Sequence, residues 1–97
     1  MFERVLIANR GEIALRILRA LRGLGCSVAI IHGREDRLSL PVLMSDVAIP
    51  IYSDNPLDTY LDYERVIEAA KQVGAQAIHP GYGFLAENAS FVRRCEE

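Results

Sequence analysis

Two short apolar runs near the start of the chain, Arg4–Ala8 (RVLIA) and Ser27–His32 (SVAIIH), constrain the fold more than any other feature. Neither alternates apolar with polar residues, so each reads as a strand covered on both faces. Residues 9–26 separate them, which is too long a link for a hairpin and suits a helical crossover. The two strands are therefore expected to lie parallel in a sheet with helices packed on it.

The connecting segment supports this. Asn9-Arg10-Gly11 breaks the first strand, and Glu12–Leu24 has helical periodicity. Ile13, Ala14, Ile17, Leu18, Leu21 and Leu24 fall on one face, and Arg16, Arg19 and Arg22 form a stripe on another. Gly25 suits the residue after a helix. The alternation then repeats. Gly33–Arg37 is a polar turn, and Ser39–Ser45 reads as a short helix with Pro41 in its first turn, where proline costs little. Asp46–Ile51 is a third strand, which Pro50 places at an edge or at the strand's end.

Tyr52–Pro56 is a loop, and Leu57–Asp62 a turn of helix. Tyr63–Val73 is a second amphipathic helix, with Val66, Ile67, Ala70 and Val73 inward and Gly74 as its stop. Ala75–His79 is a fourth strand, Pro80–Glu87 a glycine-bearing loop, and Asn88 the N-cap of a last helix, Ala89–Glu96. The expected fold is an α/β, Rossmann-like doubly wound parallel sheet forming a single domain over residues 1–97. The pattern stops inside a helix. A fifth strand is expected next, which makes this a sheet truncated before its last strand.

Composition excludes several classes. Hydrophobic residues make up 51% of the chain and charged residues 25%, which suits a packed core rather than disorder. The formal net charge of −2 provides no basic excess for nucleic acid. Cys26 and Cys95 are far apart, lack metal-ligand spacing, and read as buried or half-buried thiols rather than a disulfide. Met1-Phe2-Glu3-Arg4 leads directly into a strand, with no leader and no apolar run of membrane-spanning length. The expectation is a cytoplasmic chain that meets neither membrane nor nucleic acid.

In an open parallel sheet, ligands gather beyond the carboxyl ends of the strands. Three loops leave that edge. Ala8-Asn9-Arg10-Gly11-Glu12 is either a tight turn or an anion site at a helix start, and it has only Gly11 where the dinucleotide fingerprint needs three glycines. Gly33-Arg34-Glu35-Asp36-Arg37 is either a solvated turn with internal pairing or, through an acid, a ribose contact. His79-Pro80-Gly81-Tyr82-Gly83-Phe84-Leu85-Ala86-Glu87-Asn88 is the most informative. Its glycines let the backbone turn and let another group come close, with the Tyr82 ring between them. It is either a ligand loop or a loop that packs against a neighbouring domain. His32 and His79, single histidines at strand ends, read as structural. No nucleophile triad, metal set or phosphate-cradling Gly-Lys-Ser/Thr motif is visible in the sequence.

Val5-Leu6-Ile7-Ala8-Asn9-Arg10-Gly11-Glu12-Ile13-Ala14 with Arg16-Ile17 resembles the opening of biotin carboxylases, and His79–Asn88 resembles their second signature. Asp36-Arg37, Asp46 and Tyr60-Leu61 fall at matching places, so the likeness runs along nearly the whole chain. The resemblance implies the domain that precedes an ATP-grasp module in the carboxylases of acetyl-CoA, propionyl-CoA and pyruvate. Such enzymes use ATP with Mg²⁺ to activate bicarbonate as carboxyphosphate. They then carboxylate biotin held on a biotin carboxyl carrier protein.

The ATP-grasp module of the same polypeptide is absent from these residues, so the fragment is expected to be inactive alone. It is expected to carry no catalytic residue or metal, and to bind no cofactor by itself. Tyr82 and Gly83 match the loop that faces biotin in the family, and Arg16 and Arg19 match the helix that meets a partner subunit in a homodimer. For the two arginines a solvated helix face is the alternative. Pro41, Val47 and Gly23 depart from the family pattern, the last near the dimer contact. The rival to the enzyme-fragment reading is a stand-alone Rossmann-like module, binding a nucleotide at the first strand–helix turn or serving as a docking element.

Overall fold

The computed structural model describes residues 3–52, 63–81 and 95–96. Its elements are β1 (Arg4–Ile7), α1 (Gly11–Gly23), β2 (Ser27–His32), a 3-10 turn (Arg34–Asp36), α2 (Leu40–Met44), β3 (Val47–Pro50), α3 (Tyr63–Gln72) and β4 (Ala77–His79). Among the described residues the strands form one sheet in the order β3-β2-β1-β4, every pair parallel. Arg4 pairs with Ser27, Val5 with Ala77 and Ala29 with Val47 at the start of each ladder. The chain steps outward from β1 through β2 to β3, then α3 carries it back past β1 to β4.

The period of two along β1 and β2 divides the core into two layers. Val5, Ile7, Val28 and Ile30 face α1 and α2, packing with Ala14, Leu18, Leu21 and Val42. Leu6, Ala8, Ala29 and Ile31 face α3, packing with Val66, Ile67, Ala69 and Ala70. That two-sided burial is why neither central strand alternates in sequence. Fully burying a side chain such as Ile30 or Ile31 contributes about 1.5–3 kcal/mol. Edge strand β3 alternates between half-buried and exposed positions, and Pro50 ends it, as its ring and missing donor require.

Two elements and one cysteine differ from the sequence expectation. Helix α1 buries Ala14, Leu15, Leu18 and Leu21, whereas Leu24 is 59% exposed. Leu24 follows the last helical residue, where the chain already turns toward Gly25, so it leaves the apolar face. Leu15 takes part instead, because the buried stripe is centred closer to it than the count of apolar residues implied. Strand β4 starts at Ala77 rather than Ala75, because the Ala75 amide still donates to Ala70 O of α3 at 2.9 Å. Cys26 is buried as expected, Cys95 is exposed, and no disulfide joins them. The segments read as a loop at Tyr52–Pro56, a turn at Leu57–Asp62 and a helix at Ala89–Glu96 lie wholly or mostly outside the described residues. No helix among the described residues is long and apolar enough to cross a membrane.

Candidate functional site

Because β1, β2 and β4 run parallel, the segments that follow them leave the sheet at one edge. The order β3-β2-β1-β4 reverses the chain's progress between β1 and β4. Open α/β sheets form their ligand crevice at such a reversal, outside the carboxyl ends of the two strands. The first and third loops singled out in the sequence meet here.

Asn9 follows the buried strand β1 and is only 3% exposed. Its Nδ2 donates to Pro80 O at 2.7 Å, and its Oδ1 accepts the Arg10 amide at 2.8 Å. One residue earlier, the Ala8 amide donates to His79 O at 3.0 Å. Gly81 has φ +70, in the left-handed region that favours glycine. A Cβ there would stand 2.6 Å from Asn9 Nδ2, a clash, and 3.0 Å from Ile13 Cγ2, a tight contact. The Gly81 amide donates to His79 Nδ1 at 3.2 Å, so that ring nitrogen is the acceptor.

Arg10 links this corner to the loop after β2. Its Nε donates to Asp36 Oδ2 at 2.7 Å and its Nη2 to Asp36 Oδ1 at 2.8 Å. This is the parallel fork geometry that guanidinium and carboxylate favour. Asp36 is buried and its partner half-exposed. Of the Gly33–Arg37 turn, Arg34, Glu35 and Arg37 are exposed, as a solvated turn expects, whereas Asp36 departs from that reading. The acid turns inward and pairs with the first loop. Gly11 carries φ +66, which lets the chain pass from Arg10 into α1 within one residue.

His32 is buried, its Nδ1 lying 3.0 Å from Gly33 O. It meets the Tyr52 ring edge-on, with centroids 6.0 Å apart, and the Arg34 guanidinium lies 4.8 Å from the centroid of that ring. This stack closes the β2–β3 side of the same edge. Both histidines are thus engaged with backbone, as structural histidines are.

Tyr82 and Gly83 lie outside the described residues, as do Phe84–Asn88. Their neighbour Gly81 is described, in contact with Asn9. Arg16 and Arg19 are exposed on α1. Arg16 lines a groove of about 460 Å³ with Ile13, Ile17, Leu24, His79 and Gly81. The geometry therefore brings Arg16 to the flank of the third loop, a relation that helical spacing could not show.

Sequence reasoning missed the chain of contacts from Asp36 through Arg10 and Asn9 to Pro80. One signal was available: a carboxamide directly after a fully apolar strand is set to be buried, and a buried carboxamide needs partners. Its partners, distant in sequence, were not readable. The contacts orient three loops but bring no nucleophile to a base. Among the described residues no group of three or more His, Cys, Asp or Glu converges to hold a metal ion. The arrangement is a frame for a site rather than reaction machinery.

The family model described as the biotin carboxylase N-terminal domain matches residues 1–97. The 2-oxoglutarate carboxylase small subunit of Hydrogenobacter thermophilus is 54% identical over the whole chain, and biotin carboxylase 1 of Bacillus subtilis 48%. The chain spans 20% and 22% of the length of these two relatives. Among solved structures, the biotin carboxylase domain dimer of the Hydrogenobacter enzyme, in complex with MgADP, ADP and bicarbonate, aligns with a TM-score of 0.95. It is 53% identical, and the alignment covers 99% of this chain and 21% of that one. The multifunctional pyruvate carboxylase of Rhizobium etli aligns with a TM-score of 0.92 at 39% identity, covering 98% of this chain and 10% of that one.

Proposed function

Since the chain belongs to the biotin carboxylase N-terminal domain family, we propose that it forms one wall of the site at which a longer ligase carboxylates carrier-bound biotin, using ATP and bicarbonate. The reaction converts ATP, bicarbonate and biotin into ADP, phosphate and carboxybiotin. In this reading the Pro80–Asn88 loop faces biotin, with Tyr82 supplying an aromatic wall and Gly83 a close backbone amide for a small bicyclic urea. The observation that carries it is the contact of Asn9 with Pro80 and Gly81. It joins the two family motifs at the strand-end crevice where such sheets bind ligands.

Among the described residues no group of three or more His, Cys, Asp or Glu converges to hold Mg²⁺, and the side chains of the first strand–helix turn are engaged within the domain, Asn9 with Pro80 and Arg10 with Asp36. ATP, metal and bicarbonate are accordingly assigned to an ATP-grasp module of the same polypeptide. Biotin is assigned to the crevice between that module and this domain. Carrier protein and a homodimer complete the assembly, with Arg16 and Arg19 on the subunit contact. A dimer is the form crystallised for the Hydrogenobacter relative.

The test is biotin-dependent ATP cleavage. The complete polypeptide turns over with biotin and bicarbonate, and Tyr82→Ala raises the KM for biotin without changing that for ATP. The chain of residues 1–97 by itself shows no biotin-dependent cleavage. Turnover by that chain, or a Tyr82→Ala enzyme with an unaltered biotin KM, overturns the assignment.

A further inference from the structure

We infer that Asn9 is a positioning residue for the biotin-facing loop. Its carboxamide carries the β1–β4 connection past the last backbone rung, and so sets the direction in which the chain enters Tyr82 and Gly83. This inference rests on the function proposed above.

The ladder between β1 and β4 runs as far as the bond from Ala8 N to His79 O. The next amide that a parallel ladder would turn toward β1 is that of Gly81, but it donates to His79 Nδ1. The connection continues through a side chain instead, with Asn9 Nδ2 donating to Pro80 O at 2.7 Å. The contact asks for a donor on one arm and an acceptor on the other, because Oδ1 takes the Arg10 amide at 2.8 Å. An aspartate of the same shape has no donor, and an alanine has neither group. With Asn9 only 3% exposed, water has little access to replace a lost bond.

Gly81 fits the same contact from the other side. The carboxamide stands where a Cβ of residue 81 would have to be. The plane of the amide is held in turn by Arg10, whose guanidinium is forked onto Asp36. Groups from three loops thus converge on one turn, and the turn opens into the loop bearing Tyr82.

The test compares Asn9→Asp with the parent in the complete polypeptide. Aspartate keeps the size and the Oδ1 acceptor but turns an oxygen toward the Pro80 carbonyl. The expected result is a biotin KM raised about tenfold, with kcat and the KM for ATP and for bicarbonate within about twofold of the parent. Equal rises in all three KM values, or no rise for biotin, overturn the inference.

A second variant, Gly81→Ala, pushes on the same contact from the loop side and raises the biotin KM in the same selective way. It decides the matter if Asn9→Asp fails to fold. Amide hydrogen exchange on the complete polypeptide separates this inference from the function beneath it. Asn9→Asp speeds exchange at Gly81 by about tenfold and leaves Leu6 and Ile30 within about twofold. If Tyr82→Ala leaves the biotin KM unchanged while Gly81 still loosens in Asn9→Asp, the biotin assignment fails and the positioning role stands. If Tyr82→Ala raises the biotin KM while Asn9→Asp does nothing to Gly81 or to biotin, only the positioning role fails.

Discussion

Gly81 combines two demands that a side chain cannot meet together. Its φ of +70 strains any L residue, and the Asn9 carboxamide occupies the position of a Cβ. Gly81→Ala is expected to lower unfolding free energy by about 2–3 kcal/mol in urea titrations. The double variant Asn9→Ala/Gly81→Ala is expected to lose less than the sum of the single changes, since the first removes the atoms the second strikes. The strain of the positive φ and the contact with Ile13 persist in both. Arg10 and Asp36 give a second expectation. The fork is bidentate but its guanidinium is half in water, so Arg10→Ala costs about 1 kcal/mol, and less at high salt. At this scale the sequence announced residue types but not pairings. Asp36 stood among two acids and two arginines, and nothing in that run told which one turned inward.

Helix α1 shows how much an amphipathic pattern settles and where it stops. Its existence, its direction and the outward Arg16, Arg19 and Arg22 followed from periodicity, because a stripe of apolar residues must face the sheet. The rotation of that stripe did not follow, since it depends on packing against β1, β2 and α2. Leu18→Ala is expected to cost about 3 kcal/mol, because the side chain is fully buried between Val5, Val28 and their neighbours. Leu24→Ala is expected to cost under about 0.5 kcal/mol. Thermal unfolding of the two variants checks the contrast, and the helical count taken alone would have ranked them as equals. Strand β2 was legible to the residue because a continuous buried run sits between Gly25 and Gly33. Strand β4 was less so, since Ala75 and Gln76 satisfy both a helix end and a strand start until hydrogen bonds decide.

For the molecule as a whole, the layered parallel architecture was readable because strands alternate with helices, the pattern of a parallel sheet covered on its faces. Which strands are neighbours was not readable, and the β1–β4 pairing creates the crevice. The outward surface also carries Leu38, Leu40 and Leu43, at 71%, 50% and 64% exposed. Replacing Leu43 with serine is expected to change stability by under about 0.5 kcal/mol. The exposed arginines of α1 give the prediction at assembly level. Arg16→Glu with Arg19→Glu should leave the melting temperature of the 97-residue chain nearly unchanged, yet weaken dimerisation of the complete polypeptide about tenfold or more by sedimentation.

The pairing of Val5 with Ala77 has a temporal consequence. Strand β1 is synthesised about 70 residues before β4, so its flank on that side waits with an unpaired row of amides and carbonyls until β4 is made. Contacts this distant along the chain slow folding and leave such a flank open to wrong neighbours. The crevice therefore arises only when β4 docks on β1, and a chain released before residue 77 would lack it.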